Sequence, residues 1–363
     1  MELYFGLFAI VFLLSFRILN NSNYSGTLEL KRQKDIEVKY YVMIIFILLF
    51  IVESLRSKTV GEDTKVYYSW FETYSKYDLF QIKDAKSIQD VEYGYIFFNI
   101  LISKISSDPR FFIAIVSFVI LLLHFSFIIK ETNDIVLSIL IFFCLNYFFT
   151  SMVSLRQYIA MGIVFRSYSN VKKQNYIRAI IIGFVAFLFH YSSLIFLFTC
   201  LLLPFMIKSN IFRNTIFIIL GILFLSMPIV VKWVAVLFPK YKYYLDMIDF
   251  SYKISNINII KIVLDIIMII TFKHSKTKSN TMISILLGFH VVSLLYSMII
   301  PYAFRLSYYF DYFLILALPI YVNIDIETKK FKIGVLLVFL GIFYFYYLFV
   351  NAAQIAPYKF FWE

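Results

Sequence analysis

Apolar stretches long enough to cross a bilayer recur along the whole chain, separated by short polar turns that carry most of its charge. They centre on residues 3–19, 40–55, 111–129, 135–150, 154–168, 176–190, 192–207, 214–231, 257–272, 281–300, 303–322 and 333–350, which predicts about twelve transmembrane helices. A further run, residues 93–105 (YGYIFFNILISKI), is too short to span and reads as an interfacial or re-entrant helix. The expected fold is all-α: a polytopic membrane protein forming one domain over residues 1–363, with an external loop at about 53–110. The first run, Leu3 to Leu14, has neither a basic segment before it nor a small-residue cleavage site after it, so it is expected to remain as a helix.

Basic residues set the expected orientation. If the short run does not cross, six clusters share one side: Lys31/Arg32/Lys34/Lys39, Lys130, Arg166/Lys172/Lys173/Arg178, Lys208/Arg213, Lys273/Lys276/Lys278 and Lys329/Lys330/Lys332. That side should be cytoplasmic, because loops rich in Lys and Arg are retained inside. If the run did cross, the first cluster would oppose the other five. In the preferred arrangement both termini lie outside, and residues 53–110 meet the turns holding Arg156, His190 and Arg305 on the external face.

Composition agrees with repeated membrane spans: 61% of residues are hydrophobic and 15% charged, with 43 Phe and 29 Tyr. The net charge of +12 resides in short clusters between apolar runs, so no nucleic acid partner is expected. Cys144 and Cys200 lie inside apolar runs, where a thiol behaves as a small hydrophobe, and indicate neither a disulfide framework nor a metal cluster. His124, His274 and His290 are scattered without ligand spacing, and no GxxxxGKS, GxSxG or GxGxxG stretch occurs. No metal and no cofactor are expected.

Several polar residues do not read as simple membrane anchors. Ser154 and Gln157 have capping-box spacing at the start of a helix, with Arg156 in its first turn. Free backbone N–H groups, the positive helix end and a guanidinium suit a phosphate there, although interfacial arginines also snorkel. Arg56 leaves an apolar run just ahead of Gly61, Glu62 and Asp63, where an acid could act as base, hydroxyl partner or metal ligand, or the charges could be a solvated pair. Glu92 stands at the mouth of the short run and His190 ends the run 177–189; each could serve a proton or a hydroxyl, or simply finish a helix. Arg305 lies where a helix restarts after Pro301, with Asp311 further inside. Lys261 and Asp265, four apart, read as one helix-face pair.

In order and spacing, these stretches resemble the EpsG family of bacterial exopolysaccharide polymerases, related in role to the Wzy-type polymerases. The resemblance is carried by Leu55-Arg56 through Gly61-Glu62-Asp63 to Tyr67; by Glu92-Tyr93-Gly94-Tyr95 with Asn99; by Leu155-Arg156-Gln157 with Ile159-Ala160; and by His190-Tyr191-Ser192. It covers about residues 50–205; beyond residue 210 the likeness is hydropathy plus Arg305. The family usually has a small residue before the aspartate, where this chain has Glu62.

The resemblance implies a GT-C-like membrane glycosyltransferase of the bacterial cytoplasmic (inner) membrane. It would join oligosaccharide repeat units carried on undecaprenyl diphosphate at the outer face, with the bilayer and the pathway's chain-length regulator and flippase as partners. Arg56, Arg156, Gln157 and Arg305 are then expected to bind the diphosphate leaving group, and Asp63, Glu92 or His190 to deprotonate the acceptor hydroxyl. A lipid-linked oligosaccharide flippase is the alternative, but it should show a polar path from both faces and an internal repeat. A membrane acyltransferase would want a tunnel histidine with an acid partner, which the sequence does not place near its buried histidines.

Overall fold

The computed structural model describes residues 1–20, 28–89, 91–237, 255–274, 277–300, 303–325 and 327–363. Lys276 and Pro301 lie outside the described residues. Among those described, every regular element is helical, and a backbone bridge between Arg56 and Phe360 is the one strand-like contact.

The first half holds α1 (Glu2–Asn20), α2 (Leu28–Ser54), three short helices α3 (Thr64–Tyr74), α4 (Ile82–Ile88) and α5 (Tyr93–Ser103), then α6 (Pro109–Glu131), α7 (Ile135–Cys144), α8 (Tyr147–Val153) and α9 (Leu155–Lys172). The second half holds α10 (Tyr176–Phe187), α11 (Ser193–Lys208), α12 (Asn210–Leu225), α13 (Met227–Leu237), α14 (Asn256–Lys273), α15 (Lys278–Ser297), α16 (Phe304–Asp311), α17 (Leu314–Asn323) and α18 (Lys329–Val350). Large apolar side chains such as Leu13, Ile222, Val338 and Ile342 point outward, each about 60% exposed. Such a surface would be a liability in water and is what lipid requires.

Four described helices, α1, α6, α15 and α18, are long and apolar enough to cross a bilayer, and α7 with α8, bent by 54° at their junction, has the length and composition of either a broken span or a re-entrant loop. That bend falls at Asn146, whose φ of 71° is left-handed, a conformation asparagine adopts at little cost. The run 303–322 is likewise interrupted, between α16 and α17, and the run 214–231 between α12 and α13. The short run forms α5, whose 11 residues extend only about 16 Å. It starts beside the α10–α11 turn, and α6 sets out from the same end of the molecule.

Two cavities mark opposite ends. One, of about 1520 Å³, receives Lys34 and Lys39 from α2, Lys172 from the end of α9 and Lys329 from the start of α18. The other, of about 220 Å³, lies at the start of α9, so Arg156 and Lys172 stand about 24 Å apart along one helix. Both chain termini sit at the small-cavity end: the Tyr4 hydroxyl donates to Ile355 O at 3.0 Å, and Gly61 N–H donates to Gln354 O at 2.9 Å. Between the two ends the core is filled, with Phe165 stacked on Tyr312 at 4.7 Å and His124 Nδ1 2.8 Å from the Tyr312 hydroxyl.

Candidate active site

One wall of the small cavity is α3. Asp63, Val66, Tyr67 and Trp70 recur at helical spacing, so all four reach the same face. Asp63 starts this helix because Gly61 turns the chain at φ +95°, where a Cβ would meet Thr64 Oγ1 at 2.8 Å and Val153 Cγ1 at 3.1 Å. This also separates the two adjacent acids: Asp63 lines the cavity, whereas Glu62 is exposed.

The opposite wall is the start of α9, with Ser154, Arg156 and Gln157, completed by Arg305 from α16 and His190 from the α10–α11 turn. The Arg156 guanidinium lies over Trp70, 4.8 Å from the ring centroid, and over Tyr95 at 5.9 Å. Its Nη1 is ion-paired with Glu92 Oε2. Gln157 Nε2 donates to the Arg305 carbonyl at 2.5 Å, joining α9 to α16. The capping box expected at Ser154 does not form: Ser154 makes no side-chain cap, and Gln157 reaches Arg305 rather than back to the helix start.

Glu92 is 4% exposed and stands behind the lining, with Oε1 3.9 Å from His190 Nδ1. Gly94 brings it there, since its N–H donates to Leu188 O at 2.7 Å and a Cβ would stand 2.7 Å from that same oxygen. His190 Nδ1 lies 3.0 Å from Ser192 Oγ, which is 3.0 Å from the Tyr309 hydroxyl. Burial, and then the guanidinium groups of Arg156 and Arg305, push the imidazole down to about 3, so it is neutral at physiological pH.

Arg56 is not brought to this cavity. It is fully buried, donates from Nη1 to Glu53 O and from Nη2 to Met152 O at 2.9 Å, and pairs its backbone with the C-terminal segment. Together with Tyr67, whose hydroxyl donates to Val153 O at 3.2 Å, it satisfies the last carbonyls of α8 and so holds the corner from which α9 departs.

Two readings of the buried charges are corrected. Lys261 and Asp265 do not neutralise each other: Lys261 Nζ is 2.5 Å from Asp311 Oδ2, and Asp265 Oδ2 is 2.7 Å from His290 Nδ1. His290 therefore has acid partners on both sides, with Asp311 Oδ1 3.6 Å from Nε2. Sequence spacing within one helix could not reveal pairs made between helices.

Trp70, which flanks Arg156 together with Tyr95, was not singled out from the sequence. The recurrence Asp63, Tyr67, Trp70 at four and then three residues would have placed it on one helix face with Asp63. No group of three or more metal-ligating side chains occurs among the described residues. A search of the curated proteins found no match, and a search of the solved structures found none either. The model of the EpsG family matches residues 39–360, a range that includes every residue of the small cavity, and the chain therefore belongs to the EpsG family.

Proposed function

We propose that this protein is a polysaccharide polymerase that joins undecaprenyl-diphosphate-linked oligosaccharide repeat units by glycosyl transfer at the outer face of the bacterial cytoplasmic membrane. The observation that carries this reading is the convergence of two arginines, a helix start, a carboxylate and an imidazole on one cavity. That cavity lies at the end of the molecule opposite the lysines of α2, α9 and α18, which the positive-inside rule assigns to the cytoplasm. Its 220 Å³ is less than the roughly 300–1,000 Å³ of pockets that enclose a drug-sized ligand. It suits a diphosphate and the sugar carbon attached to it, with the rest of the repeat unit outside.

Arg156, Arg305, Gln157 and the start of α9 would bind the diphosphate and stabilise the charge that grows on it as the glycosidic bond breaks. The acceptor hydroxyl oxygen attacks the anomeric carbon, the C–O bond to the diphosphate breaks, and its electron pair leaves on the diphosphate oxygen. Asp63 takes the hydroxyl proton: among the described residues it is the one carboxylate that lines the cavity, and it has no ion-pair partner. His190, neutral and turned to Ser192, orients a sugar hydroxyl, while Glu92 fixes Arg156 from behind. No divalent metal is assigned a role, since the guanidinium groups already offset the diphosphate charge.

A flippase would need a continuous polar path, and the aromatic packing between the two cavities favours the polymerase instead. Purified protein in nanodiscs, given lipid-diphosphate-linked repeat units, should produce a ladder of products and release undecaprenyl diphosphate. A deletion strain should accumulate single repeat units on the outer leaflet. No ladder in vitro together with accumulation on the inner leaflet would overturn the reading.

A further inference from the structure

Below the cavity, four ionisable side chains lie inside the helical bundle with almost no exposure: Lys261 and Asp265 on α14, His290 on α15 and Asp311 on α16. Charged groups at that depth are costly and persist where they serve a purpose. We infer that this cluster positions Arg305, through α16, for the diphosphate bound above. The inference rests on the proposed function for the role of Arg305.

Helix α16 has eight residues, with Arg305 in its first turn and Asp311 at its last position, about 9 Å lower along the axis. A two-residue turn, Tyr312 and Phe313, separates it from α17, with both residues in right-handed helical conformation and the Phe313 N–H donating to Phe310 O at 3.0 Å. Side chains from other helices fix it as well. At the top, Gln157 donates to the Arg305 carbonyl. At the bottom, Asp311 Oδ2 meets Lys261 at 2.5 Å, Asp311 Oδ1 faces His290 at 3.6 Å, and the Asp311 carbonyl accepts from the Tyr147 hydroxyl at 2.7 Å. Asp265 Oδ2 lies on the far side of His290, 2.7 Å from Nδ1. A helix of two turns pinned at both ends has its height and rotation fixed, and with them the direction in which Arg305 leaves the backbone. Lys261, Asp311, His290 and Asp265 are thus positioning residues that touch no substrate.

A double-mutant cycle separates positioning from mere structural support. Undecaprenyl diphosphate binding is measured on the full-length protein in nanodiscs for Arg305→Ala, Asp311→Asn and the combination. Each single change should weaken binding by about tenfold, and the combination by no more than Arg305→Ala alone. Wild-type affinity in Asp311→Asn, or a combined loss equal to the product of the two, would overturn the inference. Exchanging the charges, Lys261→Asp with Asp311→Lys, should recover part of the affinity. If Asp311→Asn does not accumulate in membranes, His290→Gln takes its place in the cycle.

A ligand-free measurement keeps this inference separate from the proposed function. Maleimide reactivity at Arg305→Cys reports the placement of α16 directly, against two native cysteines that are both buried. Asp311→Asn should change that rate severalfold, and an unchanged rate would sink the inference. Unchanged diphosphate affinity in Arg305→Ala would count against the diphosphate reading and leave the maleimide result to decide the linkage.

Discussion

Gly94 and Leu188 touch backbone to backbone: the Gly94 N–H donates to the Leu188 carbonyl at 2.7 Å, with no room for a side chain between them. The contact ties the start of α5 to the α10–α11 turn, and so sets Glu92 beside His190 and behind Arg156. A β-carbon at Gly94 would lie 2.7 Å from the Leu188 oxygen and 2.9 Å from its carbonyl carbon, and neither is the end of a flexible side chain that can swing away. Gly94→Ala should therefore cost about 1–3 kcal/mol of stability and most of the polymerising activity. Thermal unfolding in detergent and a product-ladder assay check this; a fully active alanine variant would show that the α5–turn contact does not govern the site.

Arg156 should tolerate no neutral replacement. Arg156→Ala removes the guanidinium between Glu92 and the cavity, and is expected to lower kcat by about 100- to 1000-fold, the scale seen when a charge-stabilising donor is deleted. Arg156→Lys should restore part of this, since a lysine supplies the charge but neither the two-toothed phosphate contact nor the flat face that lies on Trp70. Turnover in membranes containing equal amounts of each variant decides it, and wild-type turnover in the alanine variant would make Arg156 an interfacial anchor.

Much of this site was legible in the sequence because its parts are local. Arg156 and Gln157 at a helix start, Asp63 after a glycine turn and His190 at the end of an apolar run all declare themselves within a few residues, and the structure places all four on the cavity. Arg56 has the same kind of local setting yet ends in the interior, because its partners are Met152, far along the chain, and the C-terminal segment. The exchange of partners among Lys261, Asp265, His290 and Asp311 was hidden for the same reason. Hydropathy marked the apolar runs but not their interruptions, which depend on single residues such as Asn146 adopting a left-handed turn.

His190 gives a pH prediction with a definite sign. Its folded value is depressed from 6.5 to about 3, so the unfolded chain takes up a proton as pH falls through about 6.5 while the folded protein does not. The stability this confers is complete above about 6.5 and is lost as pH falls toward 3. His190→Gln should therefore lose less stability than wild type between pH 6.5 and 4, measured by thermal unfolding at each pH. In the same window kcat/KM of the wild type should show no inflection that His190→Gln removes; an inflection near 6.5 abolished by the substitution would mean that His190 titrates normally.

Orientation is tested by labelling in intact cells. Single cysteines at Lys76 and Tyr191, both at the small-cavity end, should react with an impermeant maleimide, whereas cysteines at Lys172 and Lys330 should react only after the membrane is opened. Protected Tyr191 with labelled Lys172 would invert the protein and remove the outer-leaflet site.

Metal chelation tests how the diphosphate charge is met. A divalent ion that bridged the phosphates would need several oxygen ligands from the protein or its waters. The nearby carboxylates are ill placed to supply them: Asp63 lines the cavity, Glu62 is exposed, and Glu92 is 4% exposed and already paired with Arg156. Drawing Glu92 onto a metal would strip Arg156 of its partner just where the diphosphate needs that arginine held in place. Polymerisation by purified protein should therefore continue in excess EDTA at close to its untreated rate. Loss of the ladder that is restored by Mg²⁺ or Mn²⁺, but not by Ca²⁺, would make Asp63 a ligand rather than the base and transfer the stabilising role from the arginines to the ion.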